Sequence, residues 1–167
     1  MNKDHISSIL LTTSINISPN KIKGDINKLL LFILKQKYEG SCNKDGYIIK
    51  DSIQLINRSI GQIRTINNKS ITNYNVTYKS DIIIPSENEQ FTCYVETINK
   101  LGIIAYIRLH KDDTMADSPF IIIIPNEYIN DKDKLNSISI NDKITIKIKS
   151  FRIKYLAKQI QIVATLV

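Results

Sequence analysis

The chain has 167 residues, 43% of them hydrophobic and 23% charged, globular values that exclude a mainly disordered protein. Twenty-three Lys/Arg against sixteen Asp/Glu leave a net charge of +7, which hints at a polyanionic partner but is also explained in part by AT-rich coding of the abundant Ile, Asn and Lys. No apolar run is long enough for a helical bilayer span, and MNKDHISSILL lacks the basic start and small-residue cleavage site of a signal peptide. Cys42 and Cys93 are too few for a disulfide framework, and with His5 and His110 they show no metal-ligand spacing. The expectation is a soluble, intracellular chain with reduced, packed cysteines, no metal and no cofactor.

Ile9, Leu11, Thr13, Ile15 and Ile17 alternate with Leu10, Thr12, Ser14 and Asn16, the pattern of a strand with one core face, and Ser18-Pro19 ends it. Ile22, Ile26, Leu29, Leu30, Ile33 and Leu34 recur at steps of three and four. They predict an amphipathic helix capped by Ser18 or Asn20, with Pro19 at a first helical position and Gly40 as its close. Leu31 and Phe32 lie off that stripe, either on a broad buried face or beneath the second domain or a partner. After the Asp45-Gly46 turn, Tyr47, Ile49, Ile53 and Leu55 mark another strand. Residues 57–68, NRSIGQIRTINN, read as a polar, basic connection in which Ile60 and Ile63 either anchor another protein or tuck back onto their own sheet. Tyr74, Val76 and Tyr78 alternate with Asn75, Thr77 and Lys79, and this strand runs through Ile82 and Ile84 into Pro85, which cannot donate to a ladder.

A polar bridge, 86–90, leads to a second β pattern. Phe91, Cys93 and Val95 face one way, Thr92, Tyr94 and Glu96 the other, and Asn99 to Gly102 predicts a hairpin turn. Ile103, Ala105, Ile107 and Leu109 return along a core face, with Ile104, Tyr106, Arg108 and His110 outward. A polar loop over 110–119 precedes a buried strand at 120–124 that Pro125 ends; one helical turn at 126–129 and a hydrophilic loop over 130–141 follow. Ile144, Ile146 and Ile148 alternate with Thr145, Lys147 and Lys149, and the last strand covers 159–167. Five strands in about 80 residues, meander first, are the pattern of an OB-type barrel. The predicted fold class is α+β: an antiparallel sheet with one packed helix over residues 1–85, then an all-β OB-fold barrel over residues 86–167.

With only five glycines, no phosphate-cradling loop, no Gly-x-Ser-x-Gly and carboxylates scattered through loops, the chain offers no catalytic constellation, and a non-catalytic role is expected. On the barrel, Tyr94, Tyr106 and Arg108 with Lys147, Lys149, Arg152, Lys154 and Tyr155 have the chemistry to stack bases and pair with phosphates. The competing reading is a solvated strand face covered by tyrosines.

Several features recur in a known order: a strand ending near Pro19, a helix ending in Glu39-Gly40, and a strand around Gly46-Tyr47-Ile48-Ile49. Ile60-Gly61-Gln62-Ile63, Val76-Thr77-Tyr78-Lys79, Ile84-Pro85, Glu89 and the hairpin Asn99-Lys100-Leu101-Gly102 continue it. Over nearly the whole chain this resembles the stalk subunit of multisubunit DNA-directed RNA polymerases, the seventh subunit of eukaryotic polymerase II and its archaeal counterpart. The resemblance implies that 1–85 is a tip domain docking on the large core subunits near the clamp, and that 86–167 is a barrel near emerging single-stranded RNA. It puts the docking residues at Asn16, Ser18, Pro19, Lys21 and at Ile60, Gly61, Gln62, Ile63, Arg64. It further implies support of transcription initiation and a small helical partner subunit, with which cellular relatives pair. Asn88 stands where the family has a glycine, Gly61 alone remains of the glycines flanking the tip loop, and Ile104 stands where an aromatic often follows the hairpin glycine. The short, AT-rich-coded chain points to a viral version, similar to those of nucleocytoplasmic large DNA viruses, in host cytoplasm or virion; a cellular one would be nuclear. The alternative is a free-standing OB-fold protein binding single-stranded RNA in translation or RNA processing.

Overall fold

The computed structural model describes residues 6–129 and 137–167, so His5 and most of the hydrophilic loop expected over 130–141 lie outside the described residues. Among the described residues no helix is long and apolar enough to cross a membrane. Among the described residues the architecture is α+β, mostly strand with one complete α-helix, and the chain divides into two compact units.

One unit comprises Ser7–Glu39 and Ile48–Ile82. Its sheet is built on a fifteen-residue strand, which we label β5 (Lys69–Ile83), and on β1 (Ile6–Ile17), β2 (Tyr47–Ile48), β3 (Gln54–Arg58) and β4 (Gln62–Ile66). β1 lines one edge of β5. β2, β3 and β4 follow one another along the opposite edge, so three short segments do the work of a single partner strand. The helix α1 (Ile26–Tyr38) packs on this sheet. Its buried Leu30, Leu34 and Tyr38 meet Ile15 and Ile17 from β1, Ile48, Ile53, and Tyr74, Val76, Tyr78 and Ile82 from β5. Tyr38 stacks on Tyr78 at 5.9 Å, and its hydroxyl shares a 2.9 Å hydrogen bond with Thr13, so the ring is buried without orphaning its oxygen.

Three local readings change. Pro19 to Lys21 form a separate 3-10 turn; Gly24, at φ +70°, breaks the chain, and the cap of α1 is Asp25, whose Oδ1 accepts the Asn27 N–H at 2.8 Å. Neither Ser18 nor Asn20 caps the helix, because the apolar stripe extended one turn too far back, to Ile22. The close is as expected, with Gly40 at φ +66° just past the last turn. The strand read from Tyr47 to Leu55 is two strands, β2 and β3, with Asp51 at φ +59° between them. The connection read over 57–68 is largely β: β4 and the start of β5 form a hairpin around Asn67-Asn68, whose φ angles of +48° and +60° suit a two-residue turn.

The second unit comprises Gly40–Tyr47 and Ile83–Val167, together with Ile6. Strands β6 (Gln90–Asn99), β7 (Gly102–Tyr106), β8 (Phe120–Pro125), β9 (Lys143–Arg152) and β10 (Ile160–Leu166) close into a five-stranded OB-like barrel in the order β10-β8-β7-β6-β9. Pairing is antiparallel except between β10 and β8, and β10 returns to β9 to remove the last edge. The interior is aliphatic, with Val95, Ile103, Ile122, Ile124, Ile146, Ile148, Ile160 and Ile162 wholly buried. Asn88, in the bridge before β6, adopts φ +65°, a left-handed conformation that asparagine tolerates in place of glycine. Residues 40–47 join this unit, not the one before it. Cys42 donates its N–H to the Ala157 carbonyl at 2.8 Å and accepts the Leu156 N–H at 2.7 Å.

The β6–β7 hairpin falls where expected. Asn99 Oδ1 accepts the N–H groups of Leu101 and Gly102, and Gly102 sits at φ +143°. A Cβ there would lie 2.1 Å from the Ile124 carbonyl oxygen. Gly102→Ala is expected to destabilise the fold by roughly 2–4 kcal/mol, read as a lower urea midpoint at unchanged slope. An unmoved midpoint would mean that the hairpin relaxes around the methyl group.

Candidate functional site

The free edge formed by β3 and β4 is shaped by two irregularities. Register shifts between Leu55 and Asn57 against β5, which leaves Ile56 bulged out and 54% exposed. The ladder then breaks at Ser59. Its N–H donates to the Asn75 carbonyl at 2.8 Å, and its Oγ accepts the Asn75 N–H at 3.0 Å, the hydroxyl standing in for a strand carbonyl. The chain swings outward there, and Ile60 is 81% exposed. Gly61 lets it return: a Cβ would meet Thr72 Cγ2 at 2.7 Å and the Tyr74 ring at 2.9 Å. Every residue of β4 is exposed, Ile63 at 78%, and Gln62 Oε1 accepts from the Arg64 guanidinium at 3.1 Å.

The other expected docking group lies at the same end of the sheet. Asn16 Oδ1 accepts the Asn73 side-chain amide at 2.6 Å, and Asn73 is the register partner of Gln62. Ser18, Pro19 and Lys21 follow in the exposed 3-10 turn, closed by the Lys21 N–H to the Ser18 carbonyl. Sequence reading missed Ile56 and Arg58 as members of this edge. The alternation of Ile53 and Leu55 already turns Ile56 outward, but a period-two pattern carries no mark of the bulge, which only the register reveals.

On the barrel, Tyr94 and Tyr106 are cross-strand neighbours with ring centroids 6.2 Å apart. The Arg108 guanidinium lies 4.2 Å from the Tyr94 centroid and 5.3 Å from that of Tyr106, and donates to the Tyr106 hydroxyl at 2.6 and 3.1 Å. That hydrogen bond, foremost, holds Arg108 protonated more firmly than usual. Tyr106 is only 3% exposed, so its ring is covered and does not present a stacking face. Opposite Tyr94 on β9 is Lys143, which sequence reading also missed; extending the alternation of Lys147 back by two steps would have found it. Lys147 faces Gln90 and Thr165, about 13 Å along β9 from Lys143. Lys149 follows it on the exposed face. Arg152 pairs with Gln161 and, with Lys154, Ala157 and Gln159, lines a separate groove of about 170 Å³. The barrel residues expected to act together are thus spread from one end of β9 to the other and do not form one site.

Both cysteines are free and buried, and burial pushes the Cys93 thiol up to about 12 and the Cys42 thiol up to about 11. They are neutral packing residues and not poised nucleophiles. No group of three His, Cys, Asp or Glu able to hold a metal occurs among the described residues. No family model and no curated protein matches the chain.

Two outcomes are expected. Tyr106→Ala should destabilise the fold by roughly 3–5 kcal/mol in urea melts, as loss of a buried aromatic does, whereas a surface stacking residue would leave stability nearly unchanged. The folded state favours neutral thiols, while unfolded cysteines titrate near about 8.5. Their stabilising contribution is therefore full below about pH 8.5 and is lost as pH climbs through about 11 and 12. Thermal melts should show stability falling with pH above about 8.5, less steeply in Cys93→Ala.

Proposed function

We propose that the chain is a non-catalytic subunit of a multisubunit DNA-directed RNA polymerase, of the stalk type, docking on the large core subunits through the β3–β4 edge. The observation that carries this reading is the exposure of Ile60, between β3 and β4, and of Ile63 on β4, 81% and 78%, beside a serine-filled break and a close-packed glycine. Covering each side chain with a partner offers about 1.5–3 kcal/mol. The juxtaposition of Asn16 with the same edge through Asn73 gives the surface a second element. The partner's identity comes from the order of features that resembles the stalk family, to which an OB-like barrel is suited. Contact with emerging RNA is a secondary role in this reading, because Tyr106 is covered and Arg108 is engaged with it.

The test is a tagged pull-down from the native source, washed at high salt and read by mass spectrometry. The wild-type chain should recover the large polymerase subunits in fixed stoichiometry, and an Ile60→Asp, Ile63→Asp double variant should lose them. Absence of polymerase subunits with the wild type overturns the reading. Recovery of RNA and its binding proteins that fades as salt rises would favour a free-standing single-stranded RNA binder.

A further inference from the structure

Between α1 and β3 lies a groove of about 390 Å³ lined by Asn27, Leu55, Ile56, Asn57, Arg58 and Ile60. Its one cation is fixed in place. Arg58 Nε donates to Asn27 Oδ1 at 2.7 Å and one Nη to the Ser59 carbonyl at 3.2 Å, while the guanidinium lies 5.8 Å from the Tyr74 ring centroid. These bonds use two of its five N–H donors. Among the described residues no carboxylate lies within 4.0 Å of the guanidinium. An arginine that is half-buried, oriented and without a counter-charge among the described residues is prepared for a bidentate carboxylate, and the two exposed isoleucines beside it are prepared for an aliphatic side chain.

We infer that this groove recognises an acidic-aliphatic peptide segment, in which Arg58 takes an Asp or Glu carboxylate and Leu55, Ile56 and Ile60 hold a neighbouring Leu- or Ile-like side chain. Charge favours such a partner, since Ser7–Glu39 and Ile48–Ile82 together carry ten Lys/Arg against four Asp/Glu. Aliphatic walls, a single cation and the absence of any aromatic lining residue favour a peptide over a nucleic-acid strand. The inference rests on the docking reading for the purpose of the site, but its test uses no polymerase, so the two fail separately.

The full chain, isotope-labelled, is titrated with acetyl-Gly-Leu-Asp-Leu-Gly-amide, with the same peptide carrying Asn for Asp, and with inorganic phosphate, while NMR follows the Arg58 Nε–H and the Ile56 and Ile60 methyl signals. The Asp peptide should move all three to saturation, and the Asn peptide should need about tenfold higher concentration. Arg58→Gln should abolish the preference for Asp, and Ile60→Ser should weaken both peptides alike. Should Arg58→Gln fail to fold, Asn27→Ala, which frees the guanidinium without removing it, should reduce the preference in part. Unmoved groove signals, equal response to the two peptides, or phosphate moving Arg58 as strongly as the Asp peptide would each overturn the inference, the last in favour of a nucleic-acid backbone.

Discussion

A β-strand has two edges, and both must find hydrogen-bond partners or water. For β5 this requirement shapes the whole first unit. β1 satisfies one edge with a single run, whereas the other is covered by three short segments that together must match a fifteen-residue strand. Three pieces do not fit one ladder without surplus residues. The surplus emerges at Ile56 and at Ile60, and the backbone groups orphaned at the second break are taken by the Ser59 hydroxyl and by Asn75. Exposed isoleucines are therefore a product of how the ladder is pieced together. The same irregularities also blunt an edge that would otherwise invite pairing with another chain.

The barrel solves the edge problem by closure, and its surface chemistry is correspondingly more self-contained. Arg108 lies over two tyrosines and bonds one of them, so what a residue count presents as a stacking platform is largely a lid on the barrel wall. The remaining cations, from Lys143 to Arg152, sit along a strand about 30 Å long and do not converge on one point. Over residues 86–167 eleven Lys/Arg stand against ten Asp/Glu, so the barrel as a whole exerts little long-range pull on a polyanion.

Elements with a strict period were legible from the residues alone: the buried alternations of β6 and β9, the stripe of α1, and the Asn99–Gly102 hairpin. An OB-type barrel was legible from five strands with a meander first, whereas the order in which they close comes from the structure. Where reading failed, local chemistry was overridden by a partner distant in sequence. Gln62–Ile66 has no buried residue to give it a face, so it reads as loop, and only β5 makes it a strand. The helix start was misplaced because Ile22 packs against the core from outside the helix, which periodicity cannot distinguish from a first turn. Among the site residues, the outward isoleucines were visible as isolated apolar letters in a polar stretch, whereas the setting of Arg58 depends on an asparagine from another element.

The paired hydrogen bonds between Cys42 and the Leu156–Ala157 segment tie together residues more than a hundred positions apart. During synthesis Cys42 leaves the ribosome more than a hundred residues before its partners. Leu156 adopts its left-handed conformation, unusual for a branched aliphatic residue, at this same junction. The barrel unit is thus threaded through the chain on either side of the sheet unit, and its last connection can be made only after Ile48–Ile82 has been translated. The sheet unit can be completed first, but the barrel unit must then recover residues 40–47, translated before the sheet unit's last strands.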